Sequence, residues 1–149
     1  VFTIVDTGGL LPSTDDKFIE RVRSQVEKAI SEASVILFVV DVIDGPIGVD
    51  FEIANLLRRC DKPIILVVNK VDNMQREHGV PEFYELGLGE PISISTIHNI
   101  GIDVILDEIV FNLPQSPDEE VEDSALKIAV VGRPNVGKSS LVNSVSIIN

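Results

Sequence analysis

The sequence is poor in cysteine, in tryptophan and in long apolar runs. Its single cysteine, Cys60, excludes a disulfide within the chain, and no tryptophan is present. The longest apolar runs, 35–40, 64–68 and 128–131, are far shorter than the ~20 residues that span a bilayer. The amino end does not resemble a signal peptide. We therefore expect a soluble protein of the cytoplasm or, as the alternative, of an organelle, with no membrane partner.

Basic residues are also scarce. The chain has 12 lysines and arginines against 24 acidic residues, a formal net charge of -12. Broad binding of nucleic acid depends on basic side chains that neutralise phosphates, so this composition argues against DNA as a partner, although one local basic face remains compatible with it. Much of the negative charge lies at 117–124, beside Pro114 and Pro117, where apolar residues are few. This composition predicts a solvated linker at 114–125.

Apolar runs alternate with segments whose apolar residues recur every three or four positions. In the first such segment, Phe18, Ile19, Val22 and Val26 follow the spacing of an amphipathic helix. The alternation predicts an α/β fold with a mostly parallel sheet and helices on both faces. The predicted strands are 1–5, 35–41, 64–68, 91–94 and 126–131. The predicted helices after the first are 49–59, 80–86, 102–113 and the segment from 138 onward.

The segment Gly132-Arg-Pro-Asn-Val-Gly-Lys-Ser139 matches G-x-x-x-x-G-K-[ST] and lies between a predicted strand and a predicted helix. Its glycines let backbone N–H groups surround a β-phosphate, and the helix start adds N–H groups and a positive dipole end. Lys138 would place a catalytic cation on the β/γ oxygens, and the Ser139 hydroxyl would ligate Mg²⁺. A chance glycine-rich turn is the alternative. The predicted nucleotide contacts of this segment are Asn135, Val136, Gly137, Lys138, Ser139 and Ser140.

A second motif, Asn69-Lys70-Val71-Asp72, follows a predicted buried strand. The Asp72 carboxylate can accept hydrogen bonds from N1 and the exocyclic N2 of guanine, a donor pair that adenine lacks. The Asn69 side chain can tether loops and the base edge, and the Lys70 stem can lie along the purine face. Alone, the tetrapeptide is also compatible with an ordinary polar turn. In a chain that carries a phosphate loop, it predicts guanine selection.

Two further segments complete the predicted site. In Asp6-Thr-Gly-Gly9, Asp6 can hold Mg²⁺ through water, and the Gly9 N–H can approach a γ-phosphate because no Cβ interferes. Ser139 and Asp6 are therefore the predicted metal residues. Ser95 and Thr96, after the last short strand, are predicted to offer a backbone N–H to the guanine oxygen. Each segment taken alone is only a turn.

These motifs together resemble the EngA/Der family of tandem GTPases. The resemblance rests on Asp6-Thr-Gly-Gly-Leu10, Asn69-Lys-Val-Asp72, Ile94-Ser-Thr-Ile-His-Asn-Ile-Gly101 and the phosphate loop, and Glu82–Pro91 is similar as well. It covers nearly the whole chain. It implies a Ras-like P-loop GTPase fold, binding of GTP and GDP, hydrolysis of GTP with Mg²⁺, and assistance in maturation of the large ribosomal subunit.

The resemblance also implies a potassium ion. Leu10 follows Gly9 where Ras-like enzymes have a water-positioning glutamine, and the family shares this apolar residue. Its catalysis is then expected to depend on K⁺ held partly by Asn135, which makes Asn135 a predicted catalytic residue. The chain departs from the family pattern at Thr96, where alanine is usual, and at Asn99, where glycine is usual. These departures fall in the base-contact loop.

The family pattern predicts the domain organisation. Residues 1–113 resemble a first GTPase domain without its own phosphate loop and first switch, 114–125 resemble the interdomain linker, and 126–149 resemble the opening of a second domain. The chain thus resembles a fragment of a longer protein. Taken in isolation, neither domain would be whole.

A circular permutation is a second interpretation of the same order of motifs. In Ras-like folds the strand before the phosphate loop lies centrally, so 126–131 would fill the gap between 1–5 and 35–41, where two strand edges would otherwise stay unpaired. The 114–125 linker is long enough to allow this. Because the first switch is missing, we expect nucleotide binding rather than turnover. The alternatives are a nucleotide-binding or interaction module without turnover, and an ATPase or kinase, which Asn69–Asp72 disfavours.

Overall fold

Strands and helices alternate along the chain in the order that the apolar pattern predicts. The structure, a computed structural model, describes residues 2–6, 16–114 and 126–148. The strands are β1 (Phe2–Asp6), β2 (Val35–Asp41), β3 (Ile64–Asn69), β4 (Ile92–Ser93) and β5 (Leu126–Val131). The helices are α1 (Asp16–Glu32), α2 (Gly48–Arg58), α3 (Met74–Glu77), α4 (Ile102–Asn112) and α5 (Lys138–Ile148), with a 3₁₀ helix at Val80–Leu86.

The sheet has the order β1-β5-β2-β3-β4, and every pairing between these strands is parallel. The strand β5 therefore lies between β1 and β2, with Ile128 opposite both Ile4 and Val35. The predicted α/β class with a mostly parallel sheet is confirmed. Because the strands run parallel, their carboxyl ends meet at one edge, where ligands bind in folds of this kind.

Helices cover both faces of the sheet. Alternate residues of β2 point to opposite sides: Phe38 belongs to a core shared with α1 and α2, whereas Leu37 belongs to a core shared with α4 and α5. The strand β5 divides in the same way, since Ala129 and Val131 enter the first core and Ile128 and Val130 the second. Strands that are buried on both faces read as continuous apolar runs, which explains the runs seen in the sequence.

The observed elements differ from the sequence predictions mainly at short segments. The four-residue helix α3 was not predicted; it begins after Asn73, whose side chain accepts a hydrogen bond from the Arg76 N–H. The segment 80–86 is a 3₁₀ helix, and β4 is two residues long rather than 91–94. The predicted linker lies outside the described residues except for Pro114. In the part of the chain that is described, no helix is long and apolar enough to cross a bilayer.

Candidate functional site

Residues at or just after the carboxyl ends of four strands meet at one edge of the sheet. Asp6 ends β1, the segment 132–137 follows β5, Asn69 ends β3, and Ser95 comes shortly after β4. Contacts between these loops, given below, bring together residues that are distant in the sequence. The predicted contact Gly9 lies outside the described residues.

The backbone of the phosphate loop requires glycine at its carboxyl end. Gly137 has φ +98°, and a Cβ atom there would lie 2.2 Å from Nδ2 of Asn69. Gly132 is equally restricted, because a Cβ atom would lie 2.4 Å from the Val39 carbonyl oxygen. Helix α5 begins at the next residue, Lys138, so its free N–H groups face the loop. Such a loop at a helix start suits a phosphate group.

We expect Gly137→Ala to destabilise the protein by about 1–3 kcal/mol, the usual cost of a strained backbone position, because the methyl group meets Asn69 and the positive φ disfavours alanine. Urea unfolding without nucleotide measures this. Gly48→Ala is the matched control, since no heavy atom lies within 4 Å of a Cβ at that site. Equal stability of the two variants would contradict the loop geometry.

Lys138 is a buried cation inside this loop. Its exposed fraction is 7%, and its Nζ donates to the carbonyl oxygens of Gly132 at 2.6 Å and Arg133 at 3.2 Å. Burial lowers the pKa of Lys138 from its ordinary 10.5, and the charge of Asp6 opposes part of that shift. An anion bound in the loop would stabilise the charged form. The side chain is thus suited to bind phosphate.

Asp6 and Ser139 meet across the two ends of the chain. The Ser139 hydroxyl donates to Oδ2 of Asp6 at 2.9 Å, although the two residues are 133 positions apart. Mg²⁺ prefers hard oxygen ligands such as a hydroxyl and a carboxylate, often with waters and phosphates completing its shell. The donor set therefore fits magnesium, and the contact brings together the two residues predicted to hold it.

Asn69 connects three loops of the site. Its Nδ2 donates to the Val136 carbonyl oxygen at 2.9 Å and lies 3.4 Å from the Thr96 hydroxyl. Its Oδ1 accepts from the Thr96 N–H at 3.2 Å. Because Asn69 is almost fully buried, these bonds are protected from water. The tethering role predicted for Asn69 has a direct geometric basis here.

Lys70 makes a second connection to the phosphate loop. Its Nζ donates to the Asn135 carbonyl oxygen at 2.8 Å and to Oδ2 of Asp41 at 2.6 Å. Asp41 is 3% exposed and also accepts from the Ile43 N–H, which fixes the carboxylate. Sequence reasoning missed Asp41. The available signal was its position as the last residue of a buried strand at the same sheet edge.

Asp72 lies beside Ser95 at the end of the site that is predicted to select the base. Its Oδ1 accepts from the Ser95 hydroxyl at 2.6 Å, and its Oδ2 accepts from Nη1 of Arg76 at 2.6 Å. Ser95 and Thr96 were predicted to offer a backbone N–H to the guanine oxygen; the Ser95 N–H donates to the Ile100 carbonyl oxygen at 3.0 Å, because Ser95 and Ile100 form an antiparallel bridge. This geometry indicates that Ser95 orients Asp72 through its hydroxyl.

The remaining predicted contacts differ in exposure. Val136 is fully buried, and its carbonyl oxygen accepts from Nδ2 of Asn69. Asn135 is exposed and has φ +66°. Ser140 is exposed in the first turn of α5. The side chains of Asn135 and Ser140 are therefore accessible to a bound molecule.

An ion-pair cluster beside the phosphate loop was not predicted. Arg133 donates from Nη2 to Oδ2 of Asp44 at 2.9 Å, and its Nε lies 3.6 Å from Oδ1 of Asp50. Asp50 is fully buried, and its Oδ2 accepts from the Ile47 N–H at the start of α2. Burial raises the pKa of Asp50 from its ordinary 3.8, whereas the Ile47 N–H and the Arg133 charge lower it less.

This raised pKa predicts a pH effect on stability. A carboxyl group with a raised folded pKa contributes stability that is fully present below 3.8 and is lost as pH rises through the folded value. We therefore expect the unfolding free energy of the wild type, relative to Asp50→Asn, to fall as pH rises above 3.8. Urea unfolding over a pH series measures it, with the half-exposed Glu52 in Glu52→Gln as control. A difference independent of pH would contradict the prediction.

Comparison of this chain with known sequences finds relatives that are described as GTPases. A family model described as 50S ribosome-binding GTPase matches residues 1–70 and 127–147. The chain is similar to GTPase Der of Herpetosiphon aurantiacus, with 53% identity over 149 residues, covering 96% of this chain and 33% of that protein. It is also similar to GTPase Der of Moorella thermoacetica, with 54% identity over 142 residues, covering 95% and 32%. The chain thus spans about a third of the length of these curated relatives.

Solved structures share the fold. A crystal structure of Era in complex with MgGDPNP and nucleotides 1506–1542 of 16S ribosomal RNA matches with a TM-score of 0.56 and 28% identity, covering 76% of this chain and 40% of that chain. The crystal structure of YjeQ from Thermotoga maritima matches with a TM-score of 0.55 and 20% identity, covering 76% and 38%. At that identity the second match shows the fold alone. These likenesses agree with a Ras-like α/β fold.

Proposed function

Because the chain belongs to the 50S ribosome-binding GTPase family, we propose that it binds GDP and GTP at one site formed by its phosphate loop and its guanine-selecting loop. The observation that carries this proposal is the pair of contacts between the two loops. Asn69 donates to Val136 and Lys70 donates to Asn135, at 2.9 and 2.8 Å. These bonds hold both loops at the same edge of the sheet.

The same proposal treats the described chain as one permuted domain. The position of β5 between β1 and β2 supports it, because the phosphate loop then adjoins Asp6, Asn69 and Lys70 rather than a separate domain. In this arrangement, residues 126–148 supply the strand and the phosphate loop that complete the sheet and the site formed by residues 2–6 and 16–114. The alternative division, in which 126–149 only open a second domain, gives no complete site to either part.

Each side chain then has a role that its surroundings favour. Asp72 would accept from guanine N1 and N2, which selects guanine over adenine. Lys138 would exchange its bonds to loop carbonyls for phosphate oxygens and stabilise charge there. Thr96, whose N–H bond to Asn69 is 3.2 Å long, would turn its N–H toward the guanine oxygen.

Ser139 and Asp6 would hold Mg²⁺, as their oxygen atoms suit a hard cation. When bound, the ion neutralises phosphate charge. The Era complex named above contains MgGDPNP, which supports magnesium as the cofactor of this site. Asn135, exposed beside the loop, would contribute to a potassium site of the kind that the family resemblance implies.

We extend the proposal to the longer protein by its relatives. For that longer protein we propose hydrolysis of GTP and assistance in maturation of the large ribosomal subunit, which the likeness to GTPase Der and the match to the 50S ribosome-binding GTPase family support. In the chain itself, the contacts support binding, and turnover rests on the family.

The experiment is a titration of fluorescent GDP with unlabelled GDP and ATP as competitors. We expect displacement by GDP and not by ATP. Measuring phosphate release from GTP, in potassium and in sodium buffers, separates a GTPase from a module that only binds nucleotide. Absence of GDP binding in folded protein would overturn the proposal. Phosphate release at the same rate in both buffers would contradict the proposed potassium site and leave the proposed nucleotide site unaffected.

A further inference from the structure

Arg133 lies in the phosphate loop at a position that the motif leaves open. Its side chain is 12% exposed and binds away from the predicted nucleotide contacts, toward Asp44 and Asp50 of the segment after β2. Its carbonyl oxygen, at the same time, accepts from Nζ of Lys138 at 3.2 Å. Arg133 therefore connects helix α2, through Asp50, to the Lys138 side chain in the phosphate loop. We refer to Arg133, Asp44 and Asp50 as the arginine cluster.

Asp50 is buried beside Arg133, with one carboxylate oxygen bonded to the Ile47 N–H and the other directed to the guanidinium. It is 0% exposed, and among the described residues its Oδ1 has no hydrogen-bond partner, as is also true of Nε of Arg133. These two atoms face each other at 3.6 Å. Buried charges are costly unless they are paired, and removal of one partner leaves the other uncompensated. The two charges thus depend on each other.

The arginine cluster acts on the half of the loop that Asn69 and Lys70 do not contact. Asn69 and Lys70 bind the carbonyl groups of Val136 and Asn135, which lie in the carboxyl half. Arg133 is in the amino half, next to the glycine whose carbonyl accepts from Lys138. With both halves fixed, the loop is held in shape before a phosphate arrives, which lowers the ordering cost of binding.

Building on the proposed nucleotide site, we propose that Arg133 and Asp50 are positioning residues that fix the phosphate loop against helix α2 without touching the nucleotide. Asp44 adds a more exposed partner for the same guanidinium, since its side chain is 53% exposed. The planar guanidinium of Arg133 can contact two carboxylates at once, which a compact lysine ammonium does less well.

The test combines hydrogen exchange with a double-mutant cycle. In the nucleotide-free protein, we expect Arg133→Gln to raise amide exchange at 132–139 about tenfold while β2 and β3 keep their protection. We expect GDP affinity to fall about tenfold in Arg133→Gln and in Asp50→Asn, with the double variant no weaker than either single variant. Arg133→Lys, which keeps the charge, should recover part of the loss.

The matched control is Arg23→Gln. Arg23 pairs with Glu52 at 3.8 Å, with side chains 54% and 50% exposed, so neither loop exchange nor GDP affinity should change. Unchanged exchange at 132–139, equal acceleration in β2, or additive losses in the cycle would overturn the inference. If the wild type does not bind GDP, the proposed function fails, and the exchange measurement still decides the role of Arg133.

Discussion

Asp72→Asn is expected to weaken GDP binding by roughly 100-fold and to let xanthosine diphosphate bind instead. Hydrogen bonds to charged groups contribute roughly 1.5–3 kcal/mol each, and every 1.4 kcal/mol is a tenfold change in affinity. An amide in place of the carboxylate presents an N–H₂ group or one carbonyl oxygen to guanine, so at least one bond is lost. Xanthine carries an oxygen at C2, which that N–H₂ group can reach.

Competition titrations with GDP, xanthosine diphosphate and ADP measure this effect. Asp61→Asn is the matched control, because Asp61 is exposed and precedes the amino end of β3, away from the site; it should leave all three affinities unchanged. Ser95→Ala should give a smaller loss of GDP affinity, because it removes only the 2.6 Å bond that orients Asp72. Unchanged selectivity in Asp72→Asn would mean that this loop does not read the base.

Lys138→Ala is expected to reduce GDP affinity by roughly 100- to 1,000-fold, since a buried ammonium in a loop of N–H groups is replaced by a methyl group. The unfolding free energy without nucleotide should change by less, about 1 kcal/mol. The variant loses two bonds to carbonyl oxygens, but it also removes a charge whose burial lowers the pKa of Lys138.

The difference between affinity and stability separates a binding role from a folding role. Isothermal titration gives the affinity for GDP, and urea unfolding gives the free energy of unfolding. Lys28→Ala, on the exposed face of α1, is the matched control for removal of a lysine. A large loss of unfolding free energy, with the affinity for GDP unchanged from the wild type, would mean that Lys138 stabilises the fold and does not bind phosphate.

Local features of the fold were predictable because they depend on short segments. Runs such as 35–40 are apolar on both faces, and this predicts a central strand without knowledge of its neighbours. The phosphate loop carries its own context, a strand before it and a helix after it, so its shape follows from spacing. The central position expected for 126–131 needed the family resemblance, because nothing in the strand itself identifies its partners.

Contacts that no motif covers were not predictable from the sequence. The pairing of Arg133 with Asp50 depends on where α2 lies relative to the loop, and each residue alone resembles a surface charge. Asp41, taken alone, also resembles a surface charge, although it is buried and pairs with Lys70. The bridge between Ser95 and Ile100 withdrew a backbone N–H that the motif offered to guanine, because register within a loop is set by three-dimensional packing.

One short element, α3, was missed, and the bounds of another, β4, were predicted too long, for a physical reason. Helix α3 has four residues, too few for an apolar period, and it depends on the Asn73 cap. The strand β4 pairs only through Ile92 and Ser93, which provide little sequence signal. These elements affect how Asp72 and Ser95 are placed, so the base-selecting end of the site was less predictable than the phosphate end.

The central claim, that one site joins the two loops, is tested most directly by an NMR titration of the chain with GDP. The account predicts that the amides of 70–72 and of 132–139 shift together, along one binding curve with one equivalent of nucleotide. Shifts confined to either loop, or absence of any saturable shift in folded protein, would contradict it.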